Sequence, residues 1–372
     1  MRVTTYSLIA VLLLSQGTSA SVTPLFPSSP FNMKIIEKPA IAENSAQVVD
    51  FLATNQAGEF GFIIGVAGWT YPIFYADEST PTYDITFTES YSEDNVLNGV
   101  PIPDNAVPDP QGDGHMVIID KSANTEYDFW MAKRTGDGWT AGWGNKISLS
   151  GDGVYPHGLS ARGSGFAASE GLVWPEEISA GRIEHALFFS IDDKYVKGGG
   201  PVSPASESDG VSTETFAIPE GARLQLDPSI DLSTLDLLPY ELTIATAMQE
   251  FGIILGDRGG GIQFYAARPD NYDWSSVIDE IDQNEGFSEL FNSEISIKDF
   301  RLLEMGCQYS TPEVGENLPE YHMYAQGEKG CDGGSSVQEN SITDNKTVGR
   351  NDILFVLTTM FVSIIILRRL RQ

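Results

Sequence analysis

Six side chains of this chain could carry acid–base chemistry: His115, Asp128, Glu176, Glu177, His185 and Asp257. Hydrolysis of a glycosidic bond needs two carboxylates, one acid and one base or nucleophile, roughly 5 to 10 Å apart. Glu177 with Asp257 or Asp128 could supply that pair. A histidine beside a carboxylate or tyrosine could serve a lyase as base and acid. The furthest reading makes Glu177, His185 and Asp257 catalytic, with His115, Asp128, Tyr155, Arg162 and Trp174 as binding residues. Each has a plainer alternative. Glu176 and Glu177 follow Pro175 and suit a helix N-terminus. His185 lies in an apolar run, where a hydrogen-bonded core histidine is common. His115 opens a strand, and Asp257 precedes Arg258-Gly259 as a turn residue. Trp130, Trp139, Trp143 and Trp174 could stack on sugar rings or simply fill a core.

Other chemistries find no support. The chain has no Walker loop, HExxH, GxSxG or Cys/His nucleophile pair. Gly259-Gly260-Gly261 reads as a turn. No histidine or second cysteine pair stands at ligand spacing, so no metal site is read, and no cofactor can be named.

The elements that must position these groups are short and rich in aromatics, with 37 Gly and 20 Pro punctuating them. That pattern predicts a mainly β fold: an antiparallel β-sandwich or jelly-roll with two or three short helices. Asn44 can cap a helix over 45–55. Pro239 starts a second, to about Phe251, with Leu242, Ala245, Met248 and Phe251 as its buried stripe. Asp273 can cap a third. Strands are expected in 60–87, 115–120, 126–133, 183–191 and 222–226, then in 251–260, which runs into a glycine turn, and in 262–267. The stretch 96–114 reads as a loop, and Asp137-Gly138 turns the chain into a hairpin, GWTAGWGNKISLS. The longest irregular stretch, Asp152–Gly171, runs directly into the Pro175–Glu177 turn. Eight residues then separate Glu177 from His185, and Asp257 ends a buried strand. These three features are expected to meet in one cleft.

Both ends speak for a cell surface. Arg2, the apolar Leu8–Leu14 and Thr18-Ser19-Ala20 form a signal peptide over 1–20. At the other end Ile353–Leu367 is fifteen residues without a charge, followed by Arg368, Arg369 and Arg371. Its span, about 22 Å, is short against about 30 Å of hydrocarbon. Residues 351–372 are therefore either a plain transmembrane anchor or a sorting tail, replaced on processing by another surface linkage. The arginines put the rest of the chain outside. Residues 21–350 hold 18 basic and 51 acidic residues, a net charge of −33. Nucleic acid is a poor partner for that field; cations such as calcium, or a salty medium, suit it better. The only cysteines, Cys307 and Cys331, are expected to bridge outside the cell. Residues 21–304 then form a single β-rich domain, and 305–350 a flexible stalk.

Several segments, in order, resemble a family of secreted, mostly bacterial, jelly-roll-like proteins of unknown activity often found beside carbohydrate-active modules. They are FPSSPFNMKI, YADEST, VPIPDNA, GDGHMVIID, EYDFWMA, GLVWPEEISAGRIEHALFFSI and ATAMQEFGIILGDRGGGIQFY. The resemblance covers residues 26 to about 304. HGLSARGSGF departs from the family pattern, with Arg162 where an Asp is common; Arg258 and Asp128 also replace the usual Asn and Glu. The resemblance implies a surface domain that binds or processes a polysaccharide or cell-surface glycan, as a glycoside hydrolase or lyase. The competing expectation is a non-catalytic adhesin or structural protein.

Overall fold

The computed structural model describes residues 23–56, 61–89 and 96–309. The expected signal peptide, Cys331, most of the expected stalk and the expected C-terminal anchor or sorting tail lie outside the described residues. Among the described residues no helix is long and apolar enough to cross a membrane.

Three sheets build the described part. The largest has seven strands, in the order Phe287–Leu290, Phe62–Gly65, Gln263–Tyr265, Leu187–Ile191, Ile253–Arg258, Arg223–Leu226 and Phe300–Leu302. The second runs Ala267–Pro269, Tyr71–Ala76, Met116–Asp120, Thr125–Trp130 and Trp143–Ser148. The third runs Val96–Pro101, Thr82–Phe87, Gly138–Ala141 and Lys133–Thr135. Three α-helices, Ser45–Gln56, Pro175–Ala180 and Pro239–Glu250, complete the frame. The fold is mainly β, as the turn-rich composition predicts.

The sheets are mixed, which corrects the expected antiparallel arrangement. Leu187–Ile191 runs parallel to Ile253–Arg258, Phe62–Gly65 to Gln263–Tyr265, and Tyr71–Ala76 to Met116–Asp120. Parallel neighbours need long crossovers, and the helix Pro239–Glu250 lies inside the longest of those three. Central parallel strands are covered on both faces and read as continuous apolar runs. Leu187–Ile191, LFFSI, is buried at all five positions.

Alternation along these strands divides the interior into layers. Leu187, Phe189, Ile253 and Leu255 face a core shared with Val48, Leu52, Ile244 and Met248 of the helices. Phe188, Ile254 and Tyr265 face the other way, onto Tyr71, Ile73, Val117 and Ile119 of the second sheet. The reverse face of that sheet, with Phe74, Ile118 and Phe129, packs on Ile85, Val100 and Trp139 of the third.

Local expectations fare unevenly. The helix Ser45–Gln56 forms close to its expected bounds, and Asp273 caps the short 3-10 turn Trp274–Ser276. Ala245, Met248 and Phe251 are buried as the periodicity predicts, but Leu242 is 41% exposed. Ile244 and Ala247 take its place, because the sheet lies slightly around the helix from the expected stripe. Residues 96–101 form a strand rather than a loop, paired with Thr82–Phe87. Thr135 and Gly138 do flank a turn, but Trp143–Ser148 leaves that hairpin for the second sheet. The first residues of the expected stalk are docked: Gln308 Nε2 donates to Gly198 O at 3.0 Å, and Tyr309 N to Pro201 O at 2.9 Å.

Candidate functional site

Glu177 and His185 are brought together. Pro175 opens the helix Pro175–Ala180, and Glu177 at its third position reaches back to accept the Trp174 N–H at 3.2 Å. Gly181, in the left-handed region, ends the helix and returns the chain to His185. The His185 ring meets Glu177 Oε1 at 3.1 Å through Nε2, and its Nδ1 lies 2.8 Å from Ala186 O. Both ring nitrogens face acceptors, so the favoured species is the imidazolium. Burial alone would lower the His185 pKa. The Glu177 charge and hydrogen bond, the Ala186 carbonyl and Glu170 outweigh it and push it up to about 9. Glu170, beside this pair, accepts a hydrogen bond from the Ser29 hydroxyl. Burial raises its pKa to about 7 against the opposing effects of Ser29, His185 and Arg162.

The 152–171 stretch is a buried wall, not an open loop. Its Tyr155, Phe166, Ala167 and Ala168 all belong to the core. Irregular backbone in a core must find partners for its carbonyls, and Arg162 supplies them. Its guanidinium donates to Ala167 O, Ala168 O, Glu170 O and the Tyr71 hydroxyl. It is sandwiched 4.4 Å from the Tyr71 ring and 3.9 Å from that of Phe188. Arg162 therefore staples the wall. Gly171 closes it at φ 69°, where a Cβ would stand 2.5 Å from Phe188 N.

Asp128 belongs to the same wall. It accepts from the Tyr155 hydroxyl and the Ala168 N–H, each at 3.0 Å. Glu126, two residues earlier on the same face of the strand, accepts from Ser169 N and Oγ. Burial raises the pKa of both carboxyls. Burial, then the Asp128 charge, holds Glu126 well above its ordinary value, which favours its protonated form. Sequence reasoning named Asp128 and missed Glu126; acids two apart in an otherwise apolar strand were the signal.

Asp257 is elsewhere. The parallel register sets Leu187 against Ile253 and Ser190 against Asp257. His185 precedes that pair of strands and Asp257 nearly ends it, a separation of about 16 Å at 3.3 Å per residue. Glu177 and His185 thus stand at one end of that strand pair and Asp257 at the other. Around Asp257 stand Asp209 and Glu220, one carboxylate oxygen of each within 4.8 Å of the others. Arg258 Nε lies 2.8 Å from Asp209 Oδ2, and its Nη1 3.3 Å from Asp193. Burial, then the Asp209 charge, raises Asp257 to about 8. Burial and the charges of Asp209 and Asp257 hold Glu220 well above its ordinary value, against Ser208 and the Asp209 N–H. Asp209 and Glu220 escaped sequence reasoning, because they sit in separate Gly- and Pro-rich stretches with no spacing to link them.

His115 stacks on Tyr71 with ring centroids 4.4 Å apart. Burial lowers its pKa to about 4, so it is neutral. Tyr71, His115 and Arg162 would be a base, acid and clamp for a lyase, yet all three are buried. Trp174 is half-buried against the same core, while Trp139 and Trp143 fill the layer between the second and third sheets.

The chain matches no family model, no curated protein and no solved structure.

Proposed function

We propose that this chain is a cell-surface β domain of the adhesive or structural kind, which presents a folded surface rather than turning over a substrate. One observation carries the reading. The residues best suited to chemistry, Glu177, His185, Asp128 and Arg162, are spent on internal hydrogen bonds that hold the 152–171 wall and the Pro175–Ala180 helix. Catalytic groups must reach a substrate proton; these reach backbone and each other. The face-to-face layering of the first two sheets supports a sandwich. The acidic surface and the two chain ends support an outside location, with residues 351–372 as anchor or sorting tail. Glycan is the partner class favoured by the resemblance.

A glycan array probed with the purified protein, followed by incubation of every hit, tests this. Binding without new reducing ends or unsaturated sugars agrees with it. Product that disappears in Glu177→Gln would restore the hydrolase or lyase reading. Protease treatment of intact cells should release the domain. Cys307 is not a free thiol; Cys331 lies outside the described residues, and non-reduced peptide mass spectrometry should find the two linked.

A further inference from the structure

Three carboxylates from three separate segments converge at the end of the Ile253–Arg258 strand. We propose that Asp209, Glu220 and Asp257 form a binding site for a hard divalent cation, calcium. This stands whether or not the domain turns over a substrate.

Oxygens bound to one calcium at about 2.4 Å can be at most about 4.8 Å apart, and the three here satisfy that limit. Proximity of acids alone would not suffice. Glu220 is fully buried, and its Oε1 has no donor in hydrogen-bond geometry. Its other oxygen, Oε2, accepts the Asp209 N–H at 3.0 Å. Glu220 Oε1 and Asp209 Oδ1 both border the space beside Gly163. A Cβ on Gly163 would stand 2.9 Å from Asp209 Oδ1 and 3.2 Å from Glu220 Oε1. The absence of a side chain at Gly163 leaves that space open. Arg258 engages Asp209 through Oδ2 and is shared with Asp193, so Oδ1 remains for a cation. Arg258 pairs with Asp209 and Asp193, and among the described residues no ion pair reaches Glu220 or Asp257; a buried acceptor without a donor is also costly. A cation answers both.

The donor set chooses the ion. Carboxylate oxygens without imidazole or thiolate favour hard cations over zinc or copper. Calcium accepts six to eight oxygens in irregular geometry, whereas magnesium demands a near-ideal octahedron and holds its water. Three carboxylates on unconnected segments suit calcium. Water completes the shell, and two buried hydroxyls without partners, Ser164 Oγ and Ser206 Oγ, lie on the segments of Gly163 and Asp209. Those segments are tied by Ser206 N donating to Ser164 O at 3.0 Å.

The full chain, purified in detergent and stripped with EDTA, is titrated with calcium chloride by calorimetry, with magnesium chloride as a second arm. A saturable site of about one calcium per chain is expected, with a rise in Tm on filling. An acidic chain also gathers calcium diffusely, so the variants decide. Glu220→Gln keeps the shape and removes the charge; it abolishes the site, while Asp77→Asn, at an exposed acid outside the cluster, leaves it. No saturable site in the wild type, or unchanged affinity in a folded Glu220→Gln protein, overturns the proposal. Magnesium bound as tightly as calcium overturns the choice of ion. If Glu220→Gln does not fold, Gly163→Ala decides, since its Cβ fills the space between the two oxygens. An affinity loss of about tenfold or more supports the site; a smaller change overturns it.

Discussion

The two ends of one parallel strand pair hold acids in opposite ways. Before Leu187–Ile191, Glu177 has an imidazolium and a backbone N–H, and Glu170 has a hydroxyl donor. At the end of Ile253–Arg258, the Arg258 guanidinium pairs with Asp209 of the Asp209, Glu220 and Asp257 cluster, and Glu220 Oε1 has no donor. A buried carboxylate is stable when its charge is matched nearby. The first end is internally balanced and works as a brace. The second is balanced only in part, and that imbalance makes it the candidate for an external ion.

The Arg162 charge acts on both Glu170 and Asp257. Replacing it breaks the comparison most severely. Arg162→Met should cost about 4 kcal/mol, because the carbonyls of Ala167, Ala168 and Glu170 are left buried without donors. Urea midpoints of wild type and variant measure this; a cost under about 1 kcal/mol would mean that the wall does not depend on the staple.

pH separates the ends next. His185 binds its proton more tightly in the fold, with its pKa raised to about 9. Its contribution is full below the unfolded value of about 6.5 and is lost as pH rises to about 9, about 3 kcal/mol in all. Glu170 is raised to about 7 and acts with the same sign lower down: its protonated form contributes fully below about 4.5, and that contribution is lost as pH rises through about 7. Facing His185 are Glu177 and Glu170, and facing Glu170 are Ser29, Arg162 and His185. Urea midpoints between pH 7 and 10 should therefore fall in the wild type and fall less steeply in His185→Asn, where the remaining slope comes from groups such as Asp257, raised to about 8.

The same substitution should change sign between the ends. Glu177→Gln removes the partner of an imidazolium and should destabilise by about 2 kcal/mol at pH 6. Glu220→Gln, measured in EDTA at the same pH, adds an amide donor beside the Asp209 carboxylate and should stabilise by up to about 1 kcal/mol. Equal destabilisation by both would erase the distinction between brace and ion site.

Much of this architecture was readable locally. The Pro and Asp residues that open or cap helical turns mark Pro175–Ala180, Pro239–Glu250 and the 3-10 turn Trp274–Ser276. The apolar run LFFSI marks a strand covered on both faces. Glu177 and His185, eight residues apart across a single turn, were legible as neighbours. Their use was not, because hydrogen-bond saturation depends on what packs against them. The 152–171 stretch looked open because it lacks periodicity, yet its Phe166 and Tyr155 are core residues. Composition cannot tell an exposed loop from a wall stapled by one arginine. Leu242 fits a helical stripe by spacing, and only the position of the sheet turned it outward.

By itself, then, the sequence determined the β-rich class, the helices and the acidic charge, because propensity, capping and net charge are local or additive. Strand direction, the burial of the 152–171 wall and the meeting of Asp209, Glu220 and Asp257 were decided by the tertiary structure. Parallel pairing is set by long crossovers, and a site assembled from residues 209, 220 and 257 exists only once those crossovers have brought three distant segments to one strand end.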